Sequence, residues 1–259
     1  MLVTATNTLV RLLLTPVCLS CDDVLDRPLD GPVCAGCWRA VPRLTSPCCV
    51  RCGDALPSTI AGPWCVRCRR RPSAVTLARS AGRYDDSLRR IIHAFKYGGR
   101  RVLAPRLAAL MREAGGDLLA GADAVVPVPL HPWRAMRRGF NQADDLARCL
   151  GPPVWRVLRR RRHGPPQAGL PAAQRHANVR AAYALSLGVM WSAARGQLRN
   201  RVVVLVDDVM TTGATIEACA RVLADAGVRS VGALTAARAV AARPHPPPSP
   251  RHPSASPRR

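Results

Sequence analysis

Eight of the eleven cysteines in this chain form four Cys-x2-Cys pairs: Cys18/Cys21, Cys34/Cys37, Cys49/Cys52 and Cys65/Cys68. Within each half, twelve residues separate one pair from the next, and the second half repeats the first with every cysteine displaced by 31 positions. Two cysteines three apart on a tight turn can reach one tetrahedral zinc, and two such turns complete a closed four-thiolate site. The competing explanation, a disulfide framework, needs an oxidising compartment. The opening segment, MLVTATNTLVRLLLTPVC, has its apolar run broken by Arg11 and lacks the features of a secretory leader. The expectation is therefore two structural zinc sites in a cytoplasmic protein. Their ligands are either sequential or interleaved between the halves, and the duplication favours sequential sets because each repeat is then complete. Zinc affinity of roughly 10 to 16 kcal/mol per site would supply much of the folding energy of a module with little core of its own. Cys48 abuts Cys49 as an extra thiol, while Cys149 and Cys219 fall in helical segments and read as small core residues.

Charge is the second constraint. The 259 residues carry 39 Lys+Arg against 16 Asp+Glu, a net +23, and only Lys96 among the basic residues is a lysine. A Walker A loop needs Gly-Lys-Ser/Thr, whereas Lys96 lies between Phe95 and Tyr97, so that class is excluded. Residues 1–72 contribute +4, residues 73–242 contribute +15 and residues 243–259 contribute +4. Two zinc-thiolate sites, each with a formal charge of −2, would offset about four of these charges. The last stretch, RPHPPPSPRHPSASPRR, offers almost no apolar side chain to bury and reads as a disordered Pro/Arg-rich tail. No run of about 18 uninterrupted apolar residues occurs, so no transmembrane helix is expected.

From residue 73 onward, short β-branched runs alternate with segments of helical length. Ala124 to Val128 and Arg201 to Val206 read as buried strands. Ala214 to Ala226 places Ile216, Cys219, Ala220 and Leu223 on one helical face, Gly227 supplies a stop, and Arg229 to Thr235 reads as the next strand. The expected architecture is an α/β parallel sheet flanked by helices (73–242), preceded by the cysteine-rich module (1–72) and followed by the tail (243–259).

The segment Val202 to Thr215, VVVLVDDVMTTGAT, carries the most chemistry. An apolar strand ends in Asp207 and Asp208, and the loop Thr211, Thr212, Gly213, Ala214, Thr215 runs into a helix. Backbone N–H groups of such a loop form an anion site, and Gly213 permits close approach of a phosphate. The aspartates, at the carboxyl end of a parallel strand, suit vicinal hydroxyls. Together they point to a sugar 5-phosphate with free ribose hydroxyls. This segment resembles the signature of type I phosphoribosyltransferases, which bind phosphoribosyl pyrophosphate (PRPP) with magnesium. The resemblance implies that Asp207 and Asp208 hold the ribose hydroxyls and that Thr211 to Thr215 cradle the 5-phosphate. The segment VVPVPLHPWRAMRRGFNQADDLA (125–147), the FKYGG stretch around Lys96, and Gln167, Arg175 and Asn178 are similar to the ComF competence family. That likeness implies a type I phosphoribosyltransferase fold, a double zinc ribbon, and a role in uptake of single-stranded DNA during natural transformation, with the DNA-uptake machinery as partner.

The loop from Pro129 to Asn141 carries Arg134, Arg137 and Arg138, whose guanidinium groups suit a pyrophosphate. Lys96, Gln167 and Arg175 are further candidates for pyrophosphate or loop contacts. Arg156 to Arg180 is long, basic and rich in Gly and Pro, and by resemblance sits where phosphoribosyltransferases have a flexible loop over PRPP. Residue 2 is leucine, which removes the N-terminal cysteine nucleophile of a glutaminase. Two readings stand: a phosphoribosyltransferase of unidentified acceptor, and a non-catalytic protein using the same fold to bind PRPP or single-stranded DNA. Aromatic residues are scarce at 4%, so single-strand binding would lean on phosphate contacts.

Overall fold

The computed structural model describes residues 6–7, 10, 12–44, 47–57, 62–161, 182–190 and 194–239. The stretch with Gln167, Arg175 and Asn178, and the tail 243–259, lie outside the described residues. In chain order, α1 (Ala35–Arg39) and α2 (Val66–Arg70) belong to the cysteine-rich region. They are followed by β1 (Leu77–Arg83), α3 (Asp86–Tyr97), α4 (Ala104–Ala120), β2 (Ala124–Pro127), α5 (Pro132–Arg138) and α6 (Gln142–Arg148). Next come β3 (Leu158–Arg160), β4 (Tyr183–Leu185), α7 (Leu187–Met190), α8 (Ala194–Gln197), β5 (Val202–Met210), α9 (Ala214–Asp225) and β6 (Ser230–Arg238).

Four strands form one parallel sheet in the order β1-β6-β5-β2. The run Val202 to Val206 has no polar face because alternate residues point into two separate cores. Val204 and Val206 join Leu88, Ile91, Phe95, Leu107 and Leu146 on the side of α3, α4 and α6. Val203 and Leu205 join Ile216, Cys219, Ala220 and Leu223 of α9, with Leu158, Tyr183 and Leu185 of the antiparallel β3–β4 pair. Among the described residues the second layer is therefore α9 and a small ribbon, with Val189 of α7 packed against them, rather than helices alone. On the first side, α4 bends at Gly115, whose φ and ψ are −129° and 25°. A Cβ there would stand 2.6 Å from Leu234 Cδ1, so the bare backbone lets the helix settle on β6.

Strand ends differ from the sequence expectation. β5 continues through Asp207 and Asp208 to Met210, with Asp207 opposite Thr235 and Met210 opposite Arg238. The aspartates thus lie inside the last turns of the ladder, because β6 also runs on to Arg238 and continues to supply partners. The expected loop from Pro129 to Asn141 contains α5, which has Pro132 in its first turn, His131 Nδ1 accepting from the Trp133 amide, and Gly139 in the left-handed region at its end. Cys219 is fully buried in α9, whereas Cys149 caps α6 and is only half-buried. No helix among the described residues is long and apolar enough to cross a membrane.

The two cysteine repeats superimpose in hydrogen-bond pattern. Leu25 N donates to Pro16 O and Leu56 N to Pro47 O, both at 2.8 Å. Leu19 N donates to Pro32 O and Val50 N to Pro63 O, both at 2.9 Å. The antiparallel bridges Val17↔Val24 and Cys48↔Ala55 are equivalent under the same displacement, so Cys48 is the counterpart of Val17 rather than a further ligand.

Candidate functional site

The cysteines gather into two sets, Cys18, Cys21, Cys34 and Cys37 in one and Cys49, Cys52, Cys65 and Cys68 in the other, with all sulfurs of a set within 4.8 Å. The sets are sequential. In a tetrahedral site with Zn–S of about 2.3 Å, sulfurs stand about 3.8 Å apart, and Cys21 Sγ to Cys34 Sγ measures 3.9 Å and Cys52 Sγ to Cys65 Sγ 3.6 Å. Backbone amides already face the sulfurs: Ser20 N lies 3.4 Å and Cys34 N 3.3 Å from Cys18 Sγ, and Cys37 N 3.3 Å from Cys34 Sγ. Burial alone would raise the Cys18 and Cys49 thiols. Amides of Cys34, Cys21 and Ser20, and of Cys65, Cys52 and Arg51 in the second set, outweigh it and bring both thiols down to about 7. Thiolate is the form that binds zinc, and burial raises the Cys21, Cys37, Cys52 and Cys68 thiols, so it is the four-sulfur geometry that fits structural zinc.

The cradle lies at the carboxyl end of β5. Asp208 is buried and Asp207 half-buried, and the Asp208 amide donates to Asp207 Oδ1 at 2.8 Å. Lys96 Nζ, at the end of α3, pairs with Asp208 Oδ1 at 2.8 Å, with side-chain exposures of 18% and 10%. The chain's single lysine is thus locked to the acid pair. Burial, reinforced by the neighbouring Asp208 charge, pushes the Asp207 carboxyl up to about 8, and the Asp208 amide and Lys96 only partly oppose it.

Thr211 and Thr212 are exposed, and Gly213, Ala214 and Thr215 half-buried. Gly213 takes φ +77° as the residue that opens α9, and among the described residues no side chain forms an N-cap hydrogen bond at that position, although the Ala214 amide donates to Thr212 Oγ1 at 3.3 Å. The positive φ is why glycine stands there. An open helix start with small and hydroxyl side chains around it is suited to a phosphate.

Of the arginines of α5, Arg138 stacks on Tyr97 at 4.6 Å and donates to Gln142 Oε1 at 2.9 Å, which ties it to the residue next to Lys96. Arg134 and Arg137 are exposed, and Arg137 lies over Trp133 at 5.7 Å. Asn141 caps α6 through the Ala143 amide and donates to Val128 O at 3.1 Å, which fixes the loop after β2. Sequence reasoning missed Tyr183. Its buried phenol sits beside Thr215 and Asp207, and burial raises its pKa. Only β4 pairing with β3 brings it there.

Comparison with known proteins agrees with these parts. The phosphoribosyl transferase domain family matches residues 135–253, and the double zinc ribbon domain family matches residues 9–70. Fold and site together define a phosphoribosyltransferase-type α/β domain carrying a double zinc ribbon. The chain is 33% identical over 168 residues to Competence protein F of Haemophilus influenzae, covering 61% of this chain and 71% of that protein. It is 33% identical over 161 residues to DNA utilization protein YhgH of Escherichia coli K12 (57% of this chain, 66% of that protein). Competence protein ComFC of Bacillus subtilis is 26% identical over 162 residues (62% and 63%). The chain belongs to the competence protein F (ComF) family.

Proposed function

We propose that the protein binds PRPP together with magnesium at the carboxyl end of β5, as part of the handling of DNA taken up from outside the cell. One observation carries this reading: an acid pair, half-buried Asp207 and buried Asp208, is followed within five residues by a helix start opened by Gly213, which itself has no capping side chain. In this reading the two carboxylates accept from the ribose hydroxyls, and Thr211, Thr212, Gly213, Ala214 and Thr215 donate to the 5-phosphate. Lys96 holds Asp208 in place and supplies a positive charge to the cleft. Arg134, Arg137 and Arg138, with Gln167 and Arg175 by family resemblance, would meet the pyrophosphate. The all-oxygen donor chemistry of carboxylates and a pyrophosphate fits magnesium, which would neutralise charge on the leaving pyrophosphate. Transfer of the phosphoribosyl group needs positioning and charge stabilisation more than a covalent nucleophile, and this cradle is built for positioning.

Each hydrogen bond to a charged group contributes about 1.5 to 3 kcal/mol. Asp207→Asn with Asp208→Asn should therefore lower PRPP affinity in magnesium by about 100-fold or more in calorimetry. Zinc content should stay unchanged. Because ionised Asp207 accepts hydroxyls at both oxygens and more strongly than the protonated acid, and its carboxyl is raised to about 8, affinity should rise between about pH 7 and 9 and lose that rise in Asp207→Asn. Unchanged affinity in the double variant would remove the assignment.

A second reading, single-stranded DNA binding beside the cradle, is favoured by two exposed aromatic residues with arginines on their rings, Tyr97 with Arg138 and Trp133 with Arg137. The overall scarcity of aromatics conceals this local pairing. Stacking of about 1 to 3 kcal/mol per base predicts that Tyr97→Ala with Trp133→Ala weakens oligonucleotide binding by at least about tenfold. Affinity should also fall steeply with salt. Filter binding at two salt concentrations checks both, and a salt-independent affinity argues against the reading.

A further inference from the structure

A cavity of about 570 Å³ lies where the second ribbon meets α9. Among the described residues, five arginines line it, Arg51, Arg67, Arg71, Arg221 and Arg238, against a single acid, Glu217. Glu217 is already engaged by Ser73 Oγ at 2.6 Å, the Ala74 amide at 3.2 Å and Arg221 Nε at 2.8 Å. Asp54 is shared, taking Arg67 Nη2 at 3.1 Å on one oxygen and Arg238 Nε at 2.7 Å on the other. Even with −2 from a zinc-thiolate centre at the neighbouring cysteines, the wall stays net positive. Arg238 is 1% exposed, and its Nη1 has no hydrogen-bond partner among the described residues. A buried donor left over on the wall of a basic cavity indicates a site for an acceptor.

Beneath the arginines the floor is apolar: Val75, Ala78, Met210 and Ile216. The volume falls within the range of small-molecule sites, about 300 to 1,000 Å³. It exceeds what an inorganic anion needs, and the floor suits a flat, weakly polar ring. Thr212, Gly213 and Ala214 form one side, whereas Lys96, Asp207 and Asp208 are not part of the lining. The cavity therefore backs onto the cradle loop without sharing the acid pair. Arg67 Nη1 also donates to Thr212 O at 3.2 Å, which connects the ribbon wall directly to that loop.

We propose that this cavity binds a nucleoside monophosphate, its base on the Val75, Ala78, Met210 and Ile216 floor and its phosphate among the arginines, on the far side of the cradle loop from the acid pair. The loop Thr212 to Ala214 is then shared between two ligands, so occupancy of this cavity bears on the cradle's geometry. The inference stands whether or not PRPP is the cradle's ligand.

The test is calorimetric titration of the zinc-loaded full chain with AMP, GMP, CMP and UMP separately, and with inorganic phosphate. Binding of at least one nucleotide is expected, retained in Asp207→Asn/Asp208→Asn and weakened at least about tenfold in Arg51→Ala/Arg71→Ala. Zinc analysis checks that the ribbon persists in the arginine variant. If it does not, Arg71→Glu, at an exposed rim position, is expected to give the same loss. Three results would overturn the proposal: no nucleotide binding at millimolar concentration, displacement by inorganic phosphate at equal concentration, or loss of binding in the aspartate variant with the arginine variants unaffected.

Discussion

Cys18→Ser is expected to unfold the sheet, whereas the equivalent Cys49→Ser should release one zinc and leave the sheet folded. The two centres have the same ligand set, and Cys18 and Cys49 are both lowered to about 7, so these features do not distinguish them. Their surroundings do. Cys18, Leu25, Val33, Cys37, Trp38 and Val41 are part of the same buried cluster as Leu88, Ile91 and Phe95. Arg83 N donates to Pro42 O at 2.9 Å, and Arg43 bridges Gly82, so the exit from the first ribbon extends the sheet beyond β1. Burial of side chains such as Leu25, Val33, Val41 and Trp38 contributes about 1.5 to 3 kcal/mol each, and all of it depends on the first centre. The corresponding positions in the second copy are Leu56, Trp64, Pro72 and Arg69, which lie partly or wholly exposed. Loss of a structural zinc, worth about 10 to 16 kcal/mol in isolated modules, therefore spreads into the core in one case and stays local in the other. Zinc analysis with thermal unfolding checks this. Identical melting of the two variants would contradict it.

Arg238→Ala should destabilise the protein by about 3 kcal/mol, the low end for breaking a buried ion pair because Asp54 keeps some contact with water. Arg238 is 1% exposed and Asp54 28% in side-chain terms, and Nε and Nη2 approach the same carboxylate oxygen at 2.7 and 2.5 Å. This pair, with Arg67 on Asp54 and on Thr212 O, anchors the second ribbon to the carboxyl ends of β5 and β6. For a domain of this size the loss corresponds to a fall in melting temperature of roughly 6 to 12 °C. Adding Asp54→Ala should cost less than the sum of the two single changes, since the orphaned carboxylate is then gone. A single-variant effect below about 1 kcal/mol would show that the pair anchors nothing.

The sequence made some of this architecture readable and hid the rest for physical reasons. The duplication of the cysteine pairs forecast sequential four-thiolate sets, and Val202 to Thr215 forecast a strand, acid pair and loop, because each is set by neighbours along the chain. The helix Pro132 to Arg138 was legible in principle: proline in the first turn and Gly139 at the end are ordinary helix boundaries. Its many arginines drew attention to ligand chemistry instead. Lys96 against Asp208, Tyr183 beside Thr215, and Arg238 against Asp54 were not legible. Each joins residues far apart in sequence, and only the strand order β1-β6-β5-β2 and the β3–β4 pairing decide which loops meet.

The bend-free copying of one coordination unit into two different settings has a consequence for how the molecule opens. A unit whose apolar side chains belong to the common core can exchange its amides with solvent only when that core opens as well. A unit held by the Arg67 and Arg238 guanidinium contacts and the Ala78–Val50 backbone hydrogen bond can detach by itself, at a cost below that of global unfolding, and salt lowers that cost mainly through the exposed Arg67 contact. The two ribbons therefore belong to different cooperative units, and the one that breathes independently is the one resting on Thr212, beside the loop that opens α9.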